Sequence, residues 1–480
     1  MDYIKKKDLE NMNKILKDSL IYKLLIGISN WINKIFSESF LVGLFMKEKD
    51  SKKVDDDTIF SKFMMKFISF IQKIAHKIKL DKVFENSIFA KPMIWLSITV
   101  FAVPFVSTMM SLLLLICTAL SLFLKVAINK NFKLKYFKTN AWVLVFALVI
   151  GICAVTSISL EESRNIALLM IAFVLSYFVV INTIENKKQF KFILYVFSIA
   201  AVITAFYGLY QYMFGDLYSQ AWLDKEMFED IKMRVYSTFE NPNVYGEYLI
   251  LAIPIIVGLL WTEKGIFKKL FWLGSLGVTM LALALTFSRG CWLGIILAIG
   301  LLAIMIDRRF ILLGIVALLF LPFVLPESII NRFLSIGNMG DSSTSYRVYI
   351  WMGTLAMLAD YWFSGIGLGI TSFNTIYPIY SYNNISAPHS HNLYLQLVVE
   401  FGIVGLIVFL GMLYNFYKET IISICKKKNI LTSSLIAGVS GFMLQSMFDH
   451  TWYNYRVVLI FWIIIAFGLV STKVSKSDEK

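Results

Sequence analysis

Two histidines, His389 and His391, stand where a polar stretch of the sequence meets an apolar run that begins near residue 393. The chain has only four histidines, and imidazole is the side chain whose charge changes most readily near neutral pH. An imidazole can take a proton from an attacking hydroxyl or donate a hydrogen bond to a phosphate. The pair therefore predicts a reaction site at the end of a membrane helix, with His450 as a further candidate. A purely structural role for these histidines is the alternative.

Two arginines, Arg289 and Arg347, could bind an anionic ligand beside such a histidine. Arg289 is the only charged residue between positions 271 and 306, a stretch that would be roughly 55 Å long as one helix. The chain must therefore turn near Arg289. Arg347 opens a predicted helix that ends near residue 359. A guanidinium pairs bidentately with phosphate oxygens and can stabilise charge on a leaving group. The alternatives are a headgroup anchor for Arg289 and an ordinary surface position for Arg347.

The elements that must position these residues are membrane helices. The chain has 480 residues, of which 58% are hydrophobic and only 16% are charged, whereas a soluble domain carries about 25% charged residues. Repeated long apolar runs predict an all-α membrane protein with about 12 transmembrane helices. The predicted spans are residues 92–107, 109–125, 141–158, 166–184, 190–210, 244–261, 270–288, 291–306, 310–326, 393–415, 430–448 and 456–472.

Lysine-rich connections alternate with lysine-poor ones along these spans. The positive-inside rule then predicts that both termini are cytoplasmic and that two long loops, at about residues 211–243 and 327–390, are extracytoplasmic. The second loop, between spans 9 and 10, predicts a large extracytoplasmic loop domain. Arg289, Arg347 and His391 all fall on this outer side. The net charge of +14 fits this topology and a bilayer with anionic lipid, so no nucleic-acid partner is expected.

Residues 1–90 differ from the polytopic membrane domain that follows at residues 91–480. Apolar residues recur there at helical spacing among lysines. This pattern predicts basic amphipathic helices that lie on the cytoplasmic leaflet. A helical domain that docks a partner is the alternative interpretation.

Two further features argue against a cofactor. The four cysteines lie in or beside apolar runs without the spacing of metal ligands, so the sequence predicts neither a disulfide nor a metal site. Residues 365–369 read Gly-x-Gly-x-Gly, which is a weak nucleotide signature without a preceding strand. We expect a tight turn there, in which the backbone approaches a neighbour closely.

Several of these stretches also form an ordered set along the chain. They are residues 234–243, 286–290, 347–351, 365–369, 391–392 and 400–402. In order, spacing and predicted membrane side the set resembles the O-antigen ligase and polysaccharide polymerase family of bacterial membrane glycosyltransferases. The resemblance runs from about residue 230 to residue 450.

The resemblance implies a multi-pass protein of the bacterial cell membrane with its active site on the outer face. Such an enzyme transfers a glycan from undecaprenyl pyrophosphate to an acceptor hydroxyl, as a polysaccharide polymerase or as a ligase to a cell-envelope acceptor, without metal or nucleotide. By this resemblance, Arg289 and Arg347 would hold the pyrophosphate. His391 would activate the acceptor hydroxyl or assist the phosphate.

The resemblance also implies supporting residues around the substrate. We expect Arg234, Asn392, Glu400 and His389 to bind the substrate or to hold the groups that do, with His389 as an alternative to His391. Glu400 lies ~13 Å along the helix axis from His391, so it does not contact that imidazole directly. A transporter or flippase of a lipid-linked anionic glycan is the alternative function. It is disfavoured because transporters usually place ionisable groups near the membrane midplane.

Overall fold

The computed structural model describes residues 59–132, 134–215, 231, 233–307 and 326–474, together with positions 314, 316, 319, 320 and 323. All regular structure in this part of the chain is helical. The α-helices are α1 (Ile59–Lys77), α2 (Leu80–Phe84), α3 (Pro92–Ala102), α4 (Thr108–Ile128), α5 (Thr139–Val155), α6 (Leu160–Thr183), α7 (Lys187–Phe214), α8 (Pro242–Thr262), α9 (Ile266–Ala284), α10 (Arg289–Ile306), α11 (Glu327–Leu334), α12 (Ser342–Tyr361), α13 (Ile370–Tyr380), α14 (Leu393–Lys426), α15 (Ile430–Gln445) and α16 (Tyr455–Val474).

Eight of these helices are long and apolar enough to cross a membrane: α4, α6, α7, α8, α9, α10, α14 and α16. Helices α3, α5 and α15 are apolar but shorter, with 10–17 residues. Together these eleven helices overlap eleven of the predicted spans. The remaining one, residues 310–326, falls mostly outside the described residues. The all-helical multi-pass class is thus confirmed, and the total of 12 spans stays a prediction.

The centre of the bundle is formed by α8, α15 and α16. Helix α15 packs against both α8 and α10, and small residues allow the close approach. A Cβ atom on Gly294 of α10 would lie 2.7 Å from the carbonyl oxygen of Gly441 on α15. A larger side chain at this position would therefore push the two helices apart. This close packing fixes the end of α10 that begins at Arg289 against the end of α15.

Helices α12 and α13 have a small core of their own. It contains Ile350, Met357, Phe373 and Tyr377, and it rests on Val399 of α14. Because α12 is anchored in this way, Arg347 is fixed near the first turn of α14.

Helix α14 contains a sharp break at Gly402, where φ is +67°. The loop after α12 runs against this break, and the backbone NH of Ile403 donates to the Trp362 carbonyl at 2.8 Å. The three glycines of residues 365–369 also have positive φ. A Cβ on Gly365 would lie 2.7 Å from the Glu400 carbonyl oxygen. The structure therefore shows the close backbone approach that the glycine pattern predicted.

The predicted extension at residues 1–90 lies mostly outside the described residues. Its described part includes α1, which is amphipathic and packs against α4. Gln72 of α1 donates to the Val126 carbonyl at 3.0 Å, and Phe67 and Phe70 are exposed. The predicted location on the cytoplasmic leaflet stays a prediction.

Candidate active site

His391 and Asp449 form a hydrogen-bonded pair at one end of the bundle. His391 Nδ1 lies 2.9 Å from Asp449 Oδ1. A carboxylate only accepts hydrogen bonds, so Nδ1 carries a proton, and in the neutral imidazole Nε2 is the acceptor. The imidazole is held from its backbone as well, since φ of His391 is +49° and Trp351 Nε1 donates to its carbonyl at 3.2 Å. A positive φ is uncommon for a residue other than glycine, and the local structure must maintain it.

The other carboxylate oxygen of Asp449 is held by two further side chains. Asn243 Nδ2 donates to Asp449 Oδ2 at 2.8 Å, and Arg347 Nη2 lies 3.4 Å from the same atom. Burial raises the pKa of Asp449, but the hydrogen bond from His391 and the nearby positive charges lower it more, so this pKa lies well below its usual value. Asp449 is therefore an anion that orients His391 and Arg347 together.

Arg234 is buried beneath this pair. Its Nε donates to the Thr286 carbonyl at 2.8 Å, and its Nη2 donates to Asn243 Oδ1 at 2.7 Å. Asn243 thus connects Arg234 to Asp449. The turn around it begins at Asn241, whose side chain caps α8 by accepting from the backbone NH of Asn243 at 2.8 Å.

Arg289 begins α10 and is held by the segment before α12. Its Nη1 donates to Asp341 Oδ2 and, at 2.8 Å, to Ser335 Oγ. Arg332 Nη1 lies 3.4 Å from the same Asp341 oxygen. Asp341 also caps α12 by accepting from the Ser343 NH at 2.8 Å. One buried carboxylate therefore positions two guanidinium groups and the start of α12.

Two adjoining cavities connect these groups. The first, which we call the arginine–histidine cleft, has a volume of about 510 Å³ and is lined by His389, His391, Asp449, His450 and Glu247 among others. The second, which we call the arginine pocket, has a volume of about 290 Å³ and is lined by Arg289 and several apolar side chains. The residues that line both are Arg234, Asn243, Arg332, Ser343 and Arg347.

Residues 270–410 match the model of a protein family described as O-antigen ligase. This segment is an O-antigen ligase domain. It contains Arg289, Arg347 and His391, whereas Arg234 and Asp449 lie outside it. The resemblance expected from the sequence is confirmed, and the chain is a multi-pass membrane protein with an enzyme domain of the ligase and glycosyltransferase type. A comparison with curated proteins found no match.

The fold brings most of the expected site residues together. Arg234, Arg347, His389 and His391 line the arginine–histidine cleft, and Arg289 lines the pocket beside it. The three predicted catalytic residues therefore line two adjoining cavities, and Arg347 lines both. Their roles in catalysis stay predictions.

Asn392 and Glu400 lie elsewhere in the domain. Asn392 caps α14 by accepting from the Leu395 NH at 3.0 Å, and its Nδ2 donates to the Met447 carbonyl at 2.9 Å. It thereby ties the start of α14 to the segment that carries Asp449. Glu400 accepts from Gln396 Nε2 at 3.0 Å and lines a third cavity, which it shares with His389.

Sequence reasoning did not assign Asp449, Asn243, Arg332 or Asp341 to the site. For three of these residues the sequence did contain a weak indication of a role in the site. Asp449 stands beside a candidate histidine, Asn243 belongs to a quoted motif, and Arg332 is one of few arginines in a lysine-rich chain. Nothing local indicates that Asp449 and Asp341 are the carboxylates that hold the cationic groups.

Among the described residues, His389, His391 and Asp449 have ligand atoms within 4.8 Å of one another and could hold a metal ion. However, Asp449 already accepts from Asn243 and lies against Arg347. The arginines that line the same cleft would repel a divalent cation. The positive charge around the cleft suits an anionic ligand.

Proposed function

We propose that this protein transfers a glycan from undecaprenyl pyrophosphate to an acceptor hydroxyl, as a polysaccharide polymerase or as a ligase to a cell-envelope acceptor. One observation supports this most directly. His391, held through Nδ1 by Asp449, lines the same cleft as three arginines that also extend into the pocket of Arg289. This transfer requires a base that deprotonates the acceptor hydroxyl and, close to it, groups that bind the pyrophosphate of the donor.

The charge of the two cavities suits a pyrophosphate. Their four guanidinium groups outnumber the three carboxylates at the site, Glu247, Asp341 and Asp449. Guanidinium groups that are already oriented bind phosphate oxygens bidentately, and they stabilise charge on a leaving group without reorganising. We therefore assign the pyrophosphate to the boundary between the cleft and the arginine pocket.

The arginine pocket also offers a place for the first part of a lipid. Its lining includes Phe287, Leu293, Ile336, Met339 and Val348. Leu293 lies one turn beyond Arg289 on α10, which is a candidate membrane span. A pyrophosphate at Arg289 would therefore leave its isoprenoid chain beside apolar side chains at the membrane.

The proposed reaction is a single displacement. His391 Nε2 takes the proton of the acceptor hydroxyl, and the hydroxyl oxygen attacks the anomeric carbon of the donor sugar. The bond between this carbon and the pyrophosphate oxygen breaks, and undecaprenyl pyrophosphate leaves with the bonding electrons. The arginines stabilise its added charge. Attack on the face opposite the leaving group inverts the configuration of the anomeric carbon.

The outer face of the membrane is assigned from the distribution of lysine. Lysine-rich connections precede α7, α9 and α15, at the end of the bundle away from the site. The positive-inside rule makes that end cytoplasmic, so we propose that the cleft opens to the extracytoplasmic side.

The test is complementation of a deletion strain with Arg289→Ala, Arg347→Ala and His391→Ala variants. Each should reach the membrane in normal amount and fail to restore the glycan. Arg164→Ala, which alters an exposed arginine in the first turns of α6, is the control and should restore it. Normal glycan in all three site variants would overturn the proposal. The lipid-linked product that accumulates distinguishes the two forms of the reaction, because a failed polymerase leaves single repeats and a failed ligase leaves finished chains.

A further inference from the structure

A third cavity lies beside the arginine–histidine cleft. It has a volume of about 260 Å³, and we call it the glutamate–tyrosine cavity because Glu400, Tyr453 and Tyr455 line it. The side chains that line both it and the cleft are Pro388, His389, His450 and Tyr453. These four described residues therefore border both spaces.

The chemistry of this cavity differs from that of the cleft. Neither arginine nor lysine is among the described residues that line it. Its polar side chains are the Glu400 carboxylate, the Gln396 amide, the Tyr453 and Tyr455 hydroxyls, the imidazoles of His389 and His450, and the Trp452 indole NH. These groups can accept hydrogen bonds from hydroxyls and donate hydrogen bonds to them. The tyrosine and tryptophan rings offer apolar faces against which a ligand can pack. An anionic ligand would find a carboxylate there and no cation. The cavity suits an uncharged ligand rich in hydroxyl groups.

Two hydrogen bonds connect Glu400 to the segment that carries His391. Gln396 Nε2 donates to Glu400 Oε1 at 3.0 Å, and Gln396 Oε1 accepts from the Ser390 NH at 2.9 Å. Ser390 directly precedes His391 in the chain. Through this relay the geometry of the cavity is coupled to the position of the proposed base.

Two further polar atoms at the cavity lack a partner. His450 Nδ1 and Trp452 Nε1 are buried, and neither makes a hydrogen bond within the described structure. Both residues line the cavity. A buried polar atom without a partner is rare and costs free energy, so it requires an explanation. A small rearrangement around a hydroxyl-bearing ligand would satisfy such atoms.

We propose that the glutamate–tyrosine cavity binds an uncharged sugar of the glycan acceptor. The sugar lies against the aromatic rings and hydrogen-bonds Glu400, and its reactive hydroxyl passes His389 and Tyr453 to reach His391. The donor pyrophosphate stays among the arginines on the far side of His389. This inference rests on the proposed glycan transfer and adds the location and charge of the acceptor.

The experiment compares donor binding with transfer for the full-length protein in lipid nanodiscs. Undecaprenyl pyrophosphate without a glycan is the probe for the donor side. Lipid-linked oligosaccharide extracted from the deletion strain is the substrate for transfer. The variants are Glu400→Gln, which keeps the side-chain shape, and Tyr453→Ala on a half-exposed loop residue. Glu161→Gln, an exposed carboxylate at the start of α6, is the matched control.

We expect both cavity variants to raise the concentration of oligosaccharide needed for half-maximal transfer by about five-fold or more, which corresponds to the loss of about one ordinary hydrogen bond. Their affinity for undecaprenyl pyrophosphate should stay within two-fold of the wild type. Unchanged transfer in both variants would overturn the inference, as would an equal loss of pyrophosphate binding. A wild-type protein that neither binds the pyrophosphate nor converts the oligosaccharide would instead overturn the proposed function.

Discussion

His391 Nδ1 lies 2.9 Å from Asp449 Oδ1, although 58 residues separate the two in the chain. Helices α14 and α15 bring them together, since α14 leads away from His391 and α15 returns to the segment of Asp449. The pair gives the imidazole a defined tautomer and connects it to Arg347 through the second oxygen of Asp449. The proposed base and a proposed anion ligand therefore share one carboxylate.

Asp449→Asn should reduce glycan transfer by about 100-fold or more, because an amide no longer holds the Nδ1 proton and the imidazolium loses its counter-charge. The variant keeps the shape of the side chain, so its amount in the membrane should match the wild type. Transfer is measured as conversion of lipid-linked oligosaccharide by the purified protein. A rate within two-fold of the wild type would show that Asp449 does not assist His391.

Arg289→Lys should also lose transfer, by about 10-fold or more. Lysine keeps the charge but presents no planar fork, so it cannot both pair with Asp341 and bind a pyrophosphate bidentately. The readout is affinity for undecaprenyl pyrophosphate together with transfer. If Arg289 were only a headgroup anchor, lysine would serve equally well and both quantities would be unchanged.

The ion pairs of Asp341 should appear in a double-mutant cycle. Asp341→Ala leaves the buried guanidinium of Arg332 and that of Arg289 without their shared carboxylate, and we expect about 3–5 kcal/mol of destabilisation. Combining it with Arg332→Ala should cost less than the sum of the two single changes. Thermal unfolding in nanodiscs provides the measurement. Strict additivity would mean that this pair is energetically unimportant.

Gly402→Ala should destabilise the protein by about 1–3 kcal/mol from its backbone alone, because φ of +67° with ψ of −178° is a conformation that essentially only glycine adopts. The added Cβ would also meet the carbonyl oxygen of Phe363. Gly274→Ala is the matched control, since that position in α9 has open space and helical geometry. The control should be neutral or slightly stabilising in the same unfolding measurement. Equal stability of both variants would contradict the role of Gly402 as the break in α14.

Acidic pH should destabilise the fold through the histidines. Burial lowers the pKa of His450 from 6.5 to about 3, and the pKa of His389 is lowered as well. The unfolded chain therefore binds more protons than the folded one between pH 6.5 and pH 3, so stability falls as the pH falls through this window. The slope is at most about 1.4 kcal/mol per pH unit for each histidine.

His450→Gln should reduce that slope and leave the neutral-pH state folded. Unfolding temperatures of the wild type and the variant across pH 4–7 give the comparison. An identical pH dependence of the two proteins would show that His450 does not remain neutral in the fold.

Several parts of the site could be read from the residues themselves. Arg289 interrupts an apolar stretch that is too long for one span, and His391 opens another span, so each indicated a membrane boundary. The glycines of residues 365–369 indicated a close backbone approach, which occurs against Glu400. Asp449, Asn243, Arg332 and Asp341 carry no comparable signal, because their partners are distant in sequence.

The sequence by itself determined the all-helical membrane class, because burial in lipid requires long apolar stretches whose backbone bonds are satisfied within each helix. It also indicated which cationic and imidazole groups lie at the helix ends. Only the tertiary structure decided which carboxylate each group meets and which cavities they line. Those pairings depend on how α8, α10, α14 and α15 pack, and that packing follows from side-chain shapes across the whole bundle. No local pattern in the chain records it.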